Sequence, residues 1–137
     1  MLGIIGFNIS KIEAERSPEI KGKLSIKNNV QIKDIENADL FLGQSKQAGI
    51  RFKFEYTSDY EPKAGKILLS GDLIAVDEEP KAKEIVDEWK KSKKIPPEVM
   101  AQVLNSILTK CNIMAIILSR EVALPPPVQL PKVQLKK

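Results

Sequence analysis

Histidine is absent from the chain, and cysteine occurs once, at Cys111. The first absence removes the side chain most often used as a general base, as a metal ligand and as the partner of a nucleophilic serine. The second leaves no disulfide framework and no cysteine-rich metal site within a single chain, so Cys111 reads as a small buried apolar filler. Aromatic residues are scarce, at 5%, which is thin material for the stacking platforms that hold single-stranded nucleic acids. A large excess of one charge is also missing. The net charge of +4 comes from 22 basic and 18 acidic residues interleaved along the chain, which describes a solvated, ion-paired surface and not a stripe that tracks phosphates. Nucleic acid is therefore not the expected partner. No glycine-rich phosphate loop, nucleophile elbow or metal-spaced cluster is present. The carboxylate pairs Asp34/Glu36, Glu13/Glu15 and Asp77/Glu79 fall in expected loops or on polar strand faces. A non-enzyme without cofactor or metal is the expectation. Long apolar runs are lacking too: the longest, Ile113 to Leu118, is far short of the roughly 18 residues that cross a bilayer. No basic segment precedes Ile4 and Ile5, so neither a signal peptide nor membrane insertion is expected, and a cytoplasmic location is.

What is there suits one globular domain: 137 residues, 42% hydrophobic and 29% charged. Ile5, Phe7 and Ile9 alternate with small or polar residues before the apolar phase slips to Ile12 and Ala14. That slip predicts a long strand with a bulge near Lys11. Ile20, Leu24, Ile26, Val30 and Ile32 share even positions in a second strand, with Asn28-Asn29 read as a kink or short turn inside it. Residues Glu36 to Ala48 lack a sustained period and read as a loop with an apolar tip at Phe41-Leu42-Gly43. Ile50, Phe52, Phe54 and Tyr56 then face one way while Arg51, Lys53, Glu55 and Thr57 face the other, giving a sheet with one dry face and one wet face. A connection containing Pro62 and Gly65 leads to a fourth strand, Lys66 to Val76, apolar on both faces and so expected to be central or covered twice.

At Asp77 the period changes. Pro80 takes the first helical position, Ala82, Ile85, Val86 and Trp89 form one stripe, and Lys90, Lys91, Lys93 and Lys94 meet the negative end of the helix dipole. Ile95-Pro96-Pro97 ends this helix and begins a second. Its stripe is Met100, Val103, Leu104, Ile107, Cys111, Met114 and Leu118. Ile113, Ile116 and Ile117 make its last two turns apolar all round, which points to a second burial surface, most simply a subunit interface. The run from Leu124 to Val133, with Pro125, Pro126, Pro127 and Pro131, favours an extended polyproline-like path, either clamped on the domain or offered to a proline-reading partner. The expected architecture is α+β: a four-stranded antiparallel sheet over 1–76, helices over 80–94 and 97–119, and an extended tail over 124–137, all in one domain.

This order of elements, together with the tail Leu124-Pro125-Pro126-Pro127-Val128-Gln129-Leu130-Pro131-Lys132-Val133 and the opening strand Ile4 to Ala14, resembles the SecB export-chaperone family. The positive net charge departs from the acidic character of that family's bacterial export members. The likeness is therefore to a divergent relative, archaeal or associated with a toxin and antitoxin, and docking to an export motor is not carried over. The resemblance implies an ATP-independent holdase, assembled as a homodimer or homotetramer, that binds non-native polypeptides in apolar grooves. The groove residues would be Phe41, Leu42, Val128 and Leu130, and the oligomer interface would hold Ile113, Ile116 and Ile117. A different class stays open: a non-catalytic adaptor that binds one folded partner or an antitoxin.

Overall fold

The computed structural model describes residues 2–18, 22–38 and 47–128. Four strands come first, β1 (Gly3–Arg16), β2 (Ser25–Ala38), β3 (Gln47–Glu61) and β4 (Gly65–Glu78), followed by α1 (Glu79–Ser92) and α2 (Pro97–Glu121). All neighbouring strands are antiparallel, and their order across the sheet is β1-β4-β3-β2. The first and last strands in sequence are thus side by side, β4 is interior, and β1 and β2 form the two edges. The α+β class read from the sequence is the class observed.

One face of the sheet carries the core. On β3, Ile50, Phe52, Phe54, Tyr56, Ser58 and Tyr60 are all buried; across from them Ala75, Leu73, Leu69 and Ile67 of β4 are buried as well. The two helices lie on this face. α1 buries Ala82, Ile85, Val86 and Trp89 against β3 and β2, while α2 rests on β4. The opposite face, between β2 and β4, is an array of exposed or half-exposed ion pairs: Arg51 meets Glu36 at 3.2 Å and Asp72 at 3.1 Å, and Lys53 meets Glu36 at 3.6 Å. Such pairs contribute little each but keep the face wet.

Register irregularities explain where the sequence phase slips. β1 shifts between Ile9 and Lys11, as its pattern predicted, and again between Ile4 and Gly6. Across from the first of these shifts lies Gly71, where a Cβ would sit 1.9 Å from the Asn8 carbonyl oxygen. Only glycine lets the bulged strand come that close. β2 differs from its sequence reading in two ways. Asn28-Asn29 is no turn, because the strand pairs straight through it, Asn28 with Ser58 and Asn29 with Thr57. The strand also continues through Glu36 to Ala38, where a loop was expected. A bulge between Ile32 and Asp34 moves the inward positions from even to odd, so Ile35 is buried beside Phe52. The same bulge turns the Asp34 carboxylate toward α1, where it accepts the Trp89 indole N–H at 3.0 Å. That hydrogen bond, opposed by partial burial and helped by the Ile35 amide and nearby lysines, holds the Asp34 carboxyl below its ordinary value.

Lys93 closes α1 in the left-handed region at φ 58°, its amide donating to the Trp89 carbonyl at 2.9 Å and its ammonium lying 5.1 Å from the Trp89 ring centroid. The basic cluster thus includes a helix cap.

Candidate functional site

α2 is held to the sheet by a row spaced four residues apart: Val103, Ile107, Cys111, Ala115 and Ser119. The sequence stripe matches its first half. In the second half the buried positions are not Met114 and Leu118 but the smaller Ala115 and Ser119, which let the helix lie close to the strands and leave its larger side chains at the flanks. Burial pushes the Cys111 thiol up to about 12, so its thiolate is suppressed.

Opposite this row lie Ile113 and Ile117, 59% and 49% exposed and one turn apart. Ile116, the third residue expected at an interface, is half-buried. By length and composition α2 would be apolar enough to cross a membrane. Here its inner row is packed on the sheet, and the surplus apolar surface is what faces outward.

β1 adds a second apolar surface. Ile5, the unpaired residue of the bulge between Ile4 and Gly6, is 56% exposed, and Ile12 is 50% exposed on the helix-bearing face. Phe7, half-buried, stacks on Phe54 at 5.1 Å between centroids, with the Lys110 ammonium 5.4 Å from its own ring. β1 pairs with β4 along one side, and among the described residues no strand pairs with its other side.

A third surface lies over the β3–β4 hairpin, where the chain leaving α2 packs on the sheet. α2 ends as Ala123 enters the left-handed region at φ 56°, and the Leu124 amide returns to the Ser119 carbonyl at 2.8 Å. Leu124 is then buried on Gly65, where a Cβ would meet its methyl at 2.9 Å. The Tyr60 hydroxyl donates to the Pro125 carbonyl at 2.5 Å, and the Asn28 amide donates to the Pro127 carbonyl at 2.8 Å. Ser58 fixes the orientation of that amide by donating to Asn28 Oδ1 at 2.7 Å. The Tyr56 hydroxyl, 3.0 Å from Ser58 Oγ and 3.3 Å from Asn112 Oδ1, completes the network. Burial raises both tyrosines above their ordinary value, Tyr60 to about 12.

Of the residues expected to line a groove, Phe41, Leu42 and Leu130 lie outside the described residues. Val128, the last described residue of the tail, is half-buried. Sequence reasoning missed the exposure of Ile5, which sits in the first β1 bulge, and of Ile12, two residues past the second, and missed Asn28, Tyr60 and Gly65. Among the described residues no group of three or more acidic, cysteine or histidine side chains could hold a metal.

No protein-family model matches the chain, and no curated protein does. Among solved structures it is similar to the SecB-like chaperone Rv1957 of Mycobacterium tuberculosis in complex with a ChAD peptide from the HigA1 antitoxin Rv1956, with 10% sequence identity, 99% of this chain and 93% of that one covered, and a TM-score of 0.48.

Proposed function

We propose that this protein is a non-catalytic, ATP-independent holdase that binds non-native polypeptides by apolar burial and assembles as a homodimer or homotetramer. The observation that carries the reading is the exposure of Ile5, Ile12, Ile113 and Ile117 on a domain whose core is already filled. Isoleucines left 49% to 59% in water on a long edge strand and on the outer side of a long helix form surfaces that another chain would cover. Burial there is non-directional, at about 25 cal/mol per Å² of apolar area, so it tolerates many client sequences. The sequence resemblance to the SecB family implies the same activity.

Light scattering from a heat-denatured client protein tests this. Stoichiometric amounts of the chain are expected to hold scattering down without nucleotide; unchanged aggregation at every ratio would remove the proposal. Mass in solution tests the assembly, which is expected to exceed one chain at micromolar concentration.

A further inference from the structure

Leu124 and Pro127, three residues apart, are buried, while Pro125 and Pro126 between them are exposed. The chain is extended through Pro126 before it bends at Pro127 and Val128, and in sequence the same spacing of three continues to apolar Leu130 and Val133. The surface beneath is matched to such a segment in two respects. It offers hydrogen-bond donors, the Tyr60 hydroxyl and the Asn28 amide, to carbonyls at Pro125 and Pro127, and prolines present carbonyls but no N–H. It also has a floor at Gly65, where a Cβ would meet the Glu15 carbonyl of β1 at 2.7 Å and the Leu124 methyl at 2.9 Å, so glycine admits both the neighbouring strand and an apolar side chain. Ser58 holds Asn28 with its NH₂ turned toward the tail, so the donor is set by the sheet and not by the segment it meets.

From this match we propose that Gly65, Tyr60 and Asn28 form a binding site for proline-rich, non-helical polypeptide segments with an apolar residue at every third position, and that residues 124–128 occupy it in cis. This rests on the polypeptide-binding reading above and specifies one of its surfaces. The tail is then an internal competitor. A segment arriving from another chain binds with an affinity reduced by the fraction of time the site stands open.

The test uses the full-length chain and a fluorescein-labelled synthetic peptide copying residues 122–133, followed by anisotropy. Leu124→Ser loosens the chain's own tail and leaves the site whole. It is expected to bind the peptide on the order of tenfold more tightly than the unaltered chain does. Adding Tyr60→Phe, which removes one hydroxyl from the site, is expected to reverse most of that gain, and a peptide with the same composition but scrambled spacing is expected to bind weakly to every variant. Equal binding by the Leu124→Ser variant and the unaltered chain overturns the proposal. If Leu124→Ser does not fold, the unaltered chain titrated with excess peptide decides the matter. Amide resonances of Ala64 and Gly65 are expected to shift, and their constancy at millimolar peptide overturns it. Peptide binding at this site without suppression of client aggregation would keep the site and dismiss the holdase. Aggregation suppression unaltered by excess peptide, with no shift at Ala64 or Gly65, would do the reverse.

Discussion

Gly71 shows how one side chain, or its absence, sets the sheet. The β1 bulge brings the Asn8 carbonyl to where a Cβ would otherwise be, so Gly71→Ala must move backbone and not just a flexible tip. Chemical denaturation is expected to show a loss of about 3 kcal/mol, in the range of severe backbone and overpacking effects. Cys111, Tyr56 and Tyr60 make a second residue-level case. All three are neutral when protonated, and burial raises their folded values, Cys111 and Tyr60 each to about 12, well above the ordinary thiol and phenol ranges. Because the folded values are the higher ones, the stability they contribute is complete below pH 9, declines above it, and is lost as pH passes through about 12. Circular dichroism against pH is expected to show alkaline unfolding over that interval, with Tyr60→Phe weakening its upper part. The burial of Tyr56 was legible from its alternation with Phe52 and Phe54; that of Tyr60 was not, because the strand runs on to Glu61 where a connection was expected. Their hydroxyl partners were not legible either, since Asn28, Asn112 and the Pro125 carbonyl are brought in from distant parts of the chain.

On the level of elements, α1 could be read almost residue by residue, because its pattern has a single unbroken period, and β4 could be placed inside the sheet because it is apolar on both faces. α2 and β2 could be read only in part. The α2 stripe was drawn through the greasiest residues, whereas the helix packs closely through Ala115 and Ser119 and turns larger ones aside. Ala115→Leu is accordingly expected to cost about 1–3 kcal/mol in thermal or urea unfolding, since it overfills the space over β4. In β2 the bulge between Ile32 and Asp34 breaks an alternation that sequence analysis assumed to be continuous, so the end of the strand read as loop. The outer side of α2 gives the opposite expectation. Ile113→Lys together with Ile117→Lys alters side chains that are 59% and 49% exposed, so the stability of the isolated fold should be nearly unchanged, within about 0.5 kcal/mol. Assembly, followed by analytical ultracentrifugation, is expected to weaken severalfold. A large drop in stability instead would place these isoleucines in the core.

Across the whole molecule, one face of the sheet is filled by aromatics, two helices and the start of the tail, the other is ionic between β2 and β4, and apolar surplus remains on β1 and the outer side of α2. Composition announced part of this, since the end of α2 is apolar all round. It could not reveal Ile5 and Ile12, whose exposure follows from the edge position of β1 beside β4, a consequence of strand order that no local pattern encodes. If the surplus serves non-native chains, it must distinguish an unfolded protein from the same protein folded. The most direct measurement is the affinity of this chain for a fluorescently labelled protein kept unfolded by reduction and carboxymethylation, compared with its native, disulfide-bonded form. Binding of the unfolded form at micromolar concentration or below, with none of the native form, is the predicted result; no binding of either, or equal binding of both, would contradict it.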